Sequence, residues 1–135
     1  MSQSRIAVVL ASVWTLLIFV LCLISASRFR AFSFGTIISI DKLVHFTMYA
    51  GFFVLWSFAL GFKTKRELYK LMVVGIAFGV LIEVLQWAMA MGRSYELDDI
   101  IANTIGSFLG LYLLPLVRRM IPLLKKYLPF LNKVY

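Results

Sequence analysis

The chain has 135 residues, of which 62% are hydrophobic and only 15% are charged. Soluble domains have about 25% charged residues, so this composition excludes an ordinary soluble domain and indicates a membrane protein. The lone cysteine excludes an internal disulfide. The net charge of +8 alone would suggest nucleic-acid binding, but the positions of the basic residues along the chain indicate a different interpretation.

Four apolar segments are long enough to cross a bilayer, whose hydrocarbon core needs about 20 residues. They are residues 6–26, 43–62, 71–91 and 100–117. The first resembles a cleavable signal peptide, but its apolar core exceeds the roughly 7–15 residues of such a peptide. We therefore predict an all-α fold. Residues 1–117 are expected to form a four-transmembrane-helix bundle, followed by a basic amphipathic C-terminal tail at residues 118–135.

The basic residues separate by side of the membrane. Four fall on one side: Arg28, Arg30, Lys42 and Arg93. Ten fall on the other: Arg5, Lys63, Lys65, Arg66, Lys70, Arg118, Arg119, Lys125, Lys126 and Lys133. By the positive-inside rule, we expect both termini in the cytoplasm and the loops next to Asp41 and Arg93 outside. The distribution predicts a multi-pass membrane protein that does not bind nucleic acid.

The first two segments differ in their polar content. The first helix has no charge and is predicted to be scaffold, with Cys22 inside it. Residues 27–40 combine arginine with phenylalanine, which is typical of the membrane interface or of a short re-entrant piece. Asp41 then precedes a stripe of residues four apart, Asp41, His45 and Tyr49, on one helix face.

Asp41 and His45 suggest a reactive pair. Asp41 can cap the second helix, and its carboxylate one turn from the only histidine would orient the ring and raise its basicity. An ordinary helix cap beside an interfacial histidine and tyrosine fits the same spacing.

The third helix places Gly75, Gly79, Glu83 and Gln86 on one face. Small residues let another helix approach closely, and polar side chains bond across the contact. A charged group at the bilayer centre costs about 2.5–3.5 kcal/mol on insertion scales, so an acid there usually marks function. A protonated Glu83 bonded to a neighbouring helix is the packing alternative.

The fourth helix repeats this pattern. Asp98 or Asp99 can cap it, and Asp99, Asn103, Gly106 and Gly110 form a stripe that includes the small-xxx-small sequence GSFLG. The polar ends of the stripes on helices two, three and four all fall toward the outer surface. This coincidence predicts a shared pocket, which closes either within one chain or between two chains of a homo-oligomer.

The tail has a seven-residue repeat. Pro115, Pro122 and Pro129 recur with basic pairs between them. Proline prevents a straight buried helix. We expect a cytoplasmic amphipathic segment on anionic lipid, to which each basic residue contributes about 1 kcal/mol.

The segments DKLVHFTMY, GVLIEVLQ, GR and DDIIANTIGSFLG follow one another in residues 41–110. In order and spacing they resemble the VanZ-like family of small bacterial membrane proteins. The resemblance implies functional positions at Asp41, Lys42, His45, Tyr49, Glu83, Gln86, Arg93, Asp99, Asn103 and Gly106. The family is named after a protein associated with low-level teicoplanin resistance, which implies a role in the bacterial cell envelope and its plasma membrane.

We expect catalytic roles for Asp41, His45, Glu83 and Asp99. Substrate contacts are expected from Lys42, Tyr49, Gln86, Arg93 and Asn103. The first hypothesis is an enzyme that hydrolyses or exchanges head groups of phosphate-linked lipids at the outer leaflet. Arg93 and Lys42 would hold phosphate oxygens, while His45 would act as acid, base or nucleophile.

Two further questions stay open. Glu83 and Asp99 offer oxygen ligands that a divalent cation prefers, although no recognised metal spacing is present. The pocket could instead bind a lipid-linked cell-wall precursor without changing it. A proton path through Glu83 is a third hypothesis, less favoured because the inner halves of the helices are apolar.

Overall fold

Four α-helices make up the described part of the chain in this computed structural model, which describes residues 5–24, 40–89 and 97–127. They are α1 (Arg5–Ile24), α2 (Ile40–Ala59), α3 (Lys65–Ala88) and α4 (Leu97–Tyr127). The all-α prediction is confirmed. The predicted interfacial segment up to residue 39, the loop with Arg93 and the last residues of the tail lie outside the described residues.

Three helices are long and apolar enough to cross a membrane: Arg5–Leu23, Lys65–Ala88 and Leu97–Leu123. Much of their apolar surface faces outward, as at Leu16 of α1 and Val74 of α3, both more than half exposed. Helices that are apolar on the outside as well as the inside are typical of membrane spans. Helix α2 has 20 residues, as many as α1, and carries Lys42 and His45 in its first two turns.

Helix α2 lies at the centre of the bundle. It packs against α1, α3 and α4, most extensively against α4. Its Tyr49 and Phe53 expose no surface. Consecutive helices run in opposite directions, so α2 and α4 are parallel.

Two glycines bring α2 and α4 into backbone contact. A Cβ on Gly106 would clash with the Phe46 carbonyl oxygen, and one on Gly110 would lie 2.6 Å from that of Ala50. Neither position has room for a side chain, which is why small residues are needed there. The predicted small-xxx-small face of α4 is therefore used within the chain, against α2.

The turn between α2 and α3 is fixed by backbone and side-chain bonds. Gly61 has a φ of 64°, a conformation that favours glycine. Thr64 caps α3: its Oγ1 accepts from the Glu67 N–H at 3.3 Å, and Glu67 Oε2 accepts from the Thr64 N–H at 2.8 Å. This capping box satisfies N–H groups that the first helical turn leaves without partners.

Helix α4 continues through Pro115 and Pro122, so the predicted start of the tail at Arg118 falls inside a helix. Both prolines are exposed, and membrane helices tolerate proline where neighbouring groups or local adjustments satisfy the released carbonyls. The Arg118 guanidinium donates to the Phe62 carbonyl and lies 5.8 Å from the centroid of the Phe58 ring. These contacts tie α4 to the end of α2, and the division of the chain at residue 118 stays a prediction.

Candidate functional site

Buried polar side chains from α2, α3 and α4 meet near one end of the bundle. His45, Glu83, Asp99 and Asn103 each expose 2% of their surface or less, and we call these four residues the polar cluster. Each lies within six residues of a helix end, which at about 1.5 Å per residue is within about 9 Å of that end. The three predicted stripes therefore meet in one place.

Asn103 holds the histidine ring. His45 Nδ1 lies 3.0 Å from Asn103 Oδ1. An amide oxygen can only accept, so Nδ1 carries a proton and donates it to Asn103. Asp41, the predicted orienting residue, is in the first turn of α2, and its side chain lies outside what the structure describes.

The polar cluster contains a set of metal-ligating atoms. One ligand atom each from His45, Glu83 and Asp99 lies within 4.8 Å of the others, and all three residues are buried. Imidazole and carboxylate are common ligands of divalent transition metals. The three residues come from three different helices, so they form a set through the packing of the predicted stripes and not through a metal-binding spacing along the chain.

Lys42 lies at the exposed rim of the polar cluster. Its Nζ is 3.3 Å from Asp98 Oδ2 and 3.8 Å from Asp99 Oδ1. The Lys42 side chain is 28% exposed, whereas that of Asp98 is 70% exposed and that of Asp99 is buried. Lys42 thus lies between the surface and the polar cluster. A phosphate that bound Lys42 would compete with the carboxylates of Asp98 and Asp99.

Tyr49 and Gln86 flank the polar cluster. The Tyr49 ring packs against Phe52 and Phe78, each at a centroid distance of 6.1 Å. Tyr49 Oη, Gln86 Oε1 and Asn103 Nδ2 are buried and have no hydrogen-bond partner among the described residues. Because buried polar atoms nearly always have a partner, these three atoms mark where water or a ligand is expected.

Helix α1 contributes a residue that the sequence did not indicate. Cys22 Sγ lies 4.0 Å from His45 Nε2, and the Cys22 carbonyl accepts from Gln86 Nε2 at 2.7 Å. Helix α1 has no polar stripe, so nothing in the sequence distinguished Cys22 from its apolar neighbours. Predicted as scaffold, α1 also closes one side of the site. Arg93, the remaining predicted site residue, lies outside the described residues.

A separate cavity lies in the other half of the bundle, between α1, α2 and α3. It has a volume of about 380 Å³ and includes Phe52, Trp56, Leu71 and Phe78 in its lining. None of the polar cluster lines it. The two ends of the molecule therefore differ in chemistry, one polar and buried and the other apolar with an open cleft.

Comparison with known proteins identifies a family. The model of the VanZ/LLP1 family matches residues 6–118. The matched region includes the whole polar cluster, Lys42, Cys22 and both glycines of the α2–α4 contact. No curated protein and no solved structure matches the chain.

Proposed function

The chain belongs to the VanZ/LLP1 family, and from this premise we propose that it is a membrane enzyme that hydrolyses or exchanges the head groups of phosphate-linked lipids. The polar cluster is the observation that carries the proposal. Ionisable residues inside membrane spans are costly, face a polar interior and usually mark function. Here two carboxylates and the only histidine are held within 4.8 Å of one another.

The surroundings of the polar cluster fit a phosphate-linked head group. The cluster lies within about 9 Å of the helix ends, so a lipid head group can reach it from the membrane surface. Lys42 offers an ammonium at the rim. Arg93, between α3 and α4 in the sequence, is proposed to add a guanidinium, which binds phosphate through two parallel hydrogen bonds.

The reaction requires proton transfer at two oxygen atoms. Water, or an alcohol in an exchange, attacks the phosphorus, and the bond from phosphorus to the departing head-group oxygen breaks. The attacking oxygen loses a proton and the departing oxygen gains one. His45, Glu83 and Asp99 supply the groups for this transfer, and Asn103 positions the imidazole. Asp41 keeps its predicted catalytic role as part of the proposal.

The polar cluster is proposed to face the outer leaflet of the bacterial plasma membrane. It lies at the end of the bundle opposite the basic turn that precedes α3, and Arg118 is bound at that turn's end of α2. The positive-inside rule assigns the basic end to the cytoplasm, together with both termini. Lipids of the cell envelope would then be substrates. Chemical change of these lipids would lead to resistance to glycopeptides such as teicoplanin.

Lipid turnover by the purified full chain tests the proposal. The protein is reconstituted in liposomes that contain glycerophospholipids and polyprenyl phosphates, and lipid products are followed by mass spectrometry. We expect head-group loss or exchange with wild type and at least a hundredfold slower turnover with His45→Ala. Thr47→Ala is the matched control because Thr47 is exposed on the same helix, and its Oγ1 bonds back to the Leu43 carbonyl.

Thermal unfolding and size-exclusion chromatography establish that both variants are folded. Unchanged turnover in a folded His45→Ala variant would contradict the catalytic role. Loss of turnover in Thr47→Ala would show that the assay responds to disturbance of α2 rather than to the site.

A second candidate is a non-catalytic binder of a lipid-linked cell-wall precursor. The ammonium of Lys42 at the rim favours it, because recognition of phosphate needs a cation but no proton transfer. Mass spectrometry of lipids that co-purify separates the two functions. An unaltered precursor that accompanies wild type but not Lys42→Ala, without turnover of any lipid, would support binding alone.

A further inference from the structure

We propose that His45, Glu83 and Asp99 bind one divalent transition-metal ion of the Zn²⁺ or Mn²⁺ type. The chemical purpose of the ion rests on the proposed function, whereas the site itself stands on the geometry of the chain. One nitrogen and two carboxylate oxygens form the ligand set.

The three ligand atoms are nearly at metal-binding separation. Ligands about 2.1 Å from a tetrahedral ion are about 3.5 Å from one another. In the structure the three atoms lie within 4.8 Å of one another. Side-chain movements of about 1 Å or less close that difference, which needs no shift of the helices.

The chemistry of the ligands selects the ion. Imidazole suits transition metals, whereas Mg²⁺ and Ca²⁺ prefer oxygen ligands alone. Asn103 Oδ1 accepts from His45 Nδ1, which leaves Nε2, 4.0 Å from Cys22 Sγ, as the ring nitrogen that would bind the ion. Metal-binding histidines nearly always donate their second N–H to such an oxygen, which fixes the ring and its tautomer.

Charge favours a cation at this position. Glu83 and Asp99 bring two carboxylates into an apolar bundle, and Lys42 reaches Asp99 from the rim at 3.8 Å. Two neighbouring carboxylates attract a divalent ion strongly, and Asp99 can share its two oxygens between the ion and Lys42.

Tyr49 gives independent support for a ligand. Its hydroxyl is buried without a hydrogen-bond partner within the described ranges. Tyr49 lies one turn after His45 on the same face of α2, and its ring lies beside Gly79, one turn before Glu83 on α3. Three protein ligands leave a fourth position for water, as in catalytic zinc sites. That water would supply the missing partner of the hydroxyl.

A bound ion would define the roles of the polar cluster residues in the proposed function more narrowly. It would polarise a phosphate oxygen and make its bound water a nucleophile. His45 then acts as a ligand that Asn103 orients, and the proton of the attacking water passes to a carboxylate or to solvent.

Metal counting on the full chain in detergent tests the inference without any lipid. The protein is stripped with a chelator and dialysed against Zn²⁺ or Mn²⁺. Bound metal is counted by mass spectrometry, and Mn²⁺ is also followed by electron paramagnetic resonance. We expect one ion per chain in wild type and at least a hundredfold weaker binding in Glu83→Gln and Asp99→Asn.

Asp98→Asn is the matched control, because Asp98 is the exposed neighbour of Asp99 and contacts the same lysine. It should bind one ion like wild type. Wild type that binds no stoichiometric Zn²⁺ or Mn²⁺ overturns the inference, as does equal loss in Asp98→Asn, which would indicate adsorption to surface acids. Thermal unfolding of the stripped variants establishes that Glu83→Gln and Asp99→Asn are folded.

The failure of this inference and that of the proposed function give different results. Lipid turnover by the metal-stripped protein would contradict a role of the ion in the reaction and support the enzymatic function. One bound ion in wild type with no change in any lipid would support the metal site and contradict the enzymatic function.

Discussion

The two halves of the bundle differ in the contacts of their buried side chains, although α2 passes through both. In the apolar half, Phe52 stacks on Phe78 with 5.6 Å between centroids, and Trp56 Nε1 donates to Thr15 Oγ1 at 2.9 Å. In the polar half, buried polar atoms of Tyr49, Gln86 and Asn103 have no hydrogen-bond partner in the part of the chain that the structure describes. The apolar half is held by direct contacts beside an open cleft, whereas the buried polar atoms of the other half are only partly hydrogen-bonded within the described residues.

This difference separates stability from function. Replacing buried ionic groups by apolar residues of similar volume is often neutral or stabilising. A protein selected for stability alone would have no reason to keep Glu83 and Asp99 inside a bundle. We therefore expect substitutions in the apolar half to lower the free energy of unfolding, and substitutions in the polar half to lower metal binding and turnover.

Phe52→Ala should give the largest loss of stability. Phe52 is buried and touches three aromatic rings, those of Tyr49, Trp56 and Phe78. Removing a buried phenylalanine costs about 3–5 kcal/mol, and unfolding in mixed micelles measures the change. Phe108→Ala is the control because Phe108 is 55% exposed on α4. Equal losses in the two variants would show that the apolar half does not carry the stability.

Gly106→Ala tests the contact on which both halves depend. The new Cβ would meet the Phe46 carbonyl and push α4 from α2. Overpacking costs about 1–3 kcal/mol, against a gain of about 1 kcal/mol in helix propensity from glycine to alanine. We expect a net loss of up to about 2 kcal/mol in unfolding free energy, with weaker metal binding as His45 and Asn103 move apart.

Gly75→Ala is the matched control for Gly106→Ala. Its Cβ would lie 3.5 Å from Ser107 Oγ, an ordinary contact, so the variant should be as stable as wild type or slightly more. Destabilisation of Gly75→Ala by as much as Gly106→Ala would mean that crowding at the Phe46 carbonyl is not the cause.

Asn103→Leu should change the polar half without destabilising the fold. Loss of the oxygen that accepts from His45 Nδ1 releases the ring tautomer. Residues that orient metal ligands are typically worth about 10–100-fold in affinity or activity, so turnover should fall at least about tenfold. Since the chain has one histidine, ¹⁵N-histidine NMR reports the tautomer of His45 directly.

Ser107→Ala is the control for Asn103→Leu. Ser107 is buried one turn further along α4 and donates to the Asn103 carbonyl, not to its side chain. The wild-type spectrum should show the proton on Nδ1, as should that of Ser107→Ala. A wild-type ring protonated on Nε2 would contradict the assignment of Asn103 as its acceptor.

Much of the fold was predictable because local patterns determine it. Long apolar runs predicted four helices, and the glycines of GSFLG predicted a close helix contact, which the structure assigns to α2. The stripes of α2, α3 and α4 also indicated which polar residues meet. Spacing of three or four residues places side chains on one helix face, and a polar face in a membrane bundle turns inward.

The remaining features depend on contacts between distant segments. Asn103, 58 residues after His45, accepts from its ring, a contact that no local spacing indicates. Cys22 enters the site through the packing of α1, which has no polar pattern of its own. Helix α4 continues through Pro115 because the surface position of this proline and its neighbouring groups permit it. A prediction from the proline alone does not include that surrounding structure.

Thr64→Ala should have a small effect on stability and should leave the polar half unchanged. Thr64 caps α3 at the end of the bundle away from His45, and its Oγ1 accepts from the Glu67 N–H. Loss of such a cap costs about 1 kcal/mol in unfolding free energy. Thr47→Ala, an exposed change inside α2, has no cap to lose and should cost less. If Thr64→Ala weakened metal binding, the two halves would be coupled through α3, and the separation of stability from function would not hold.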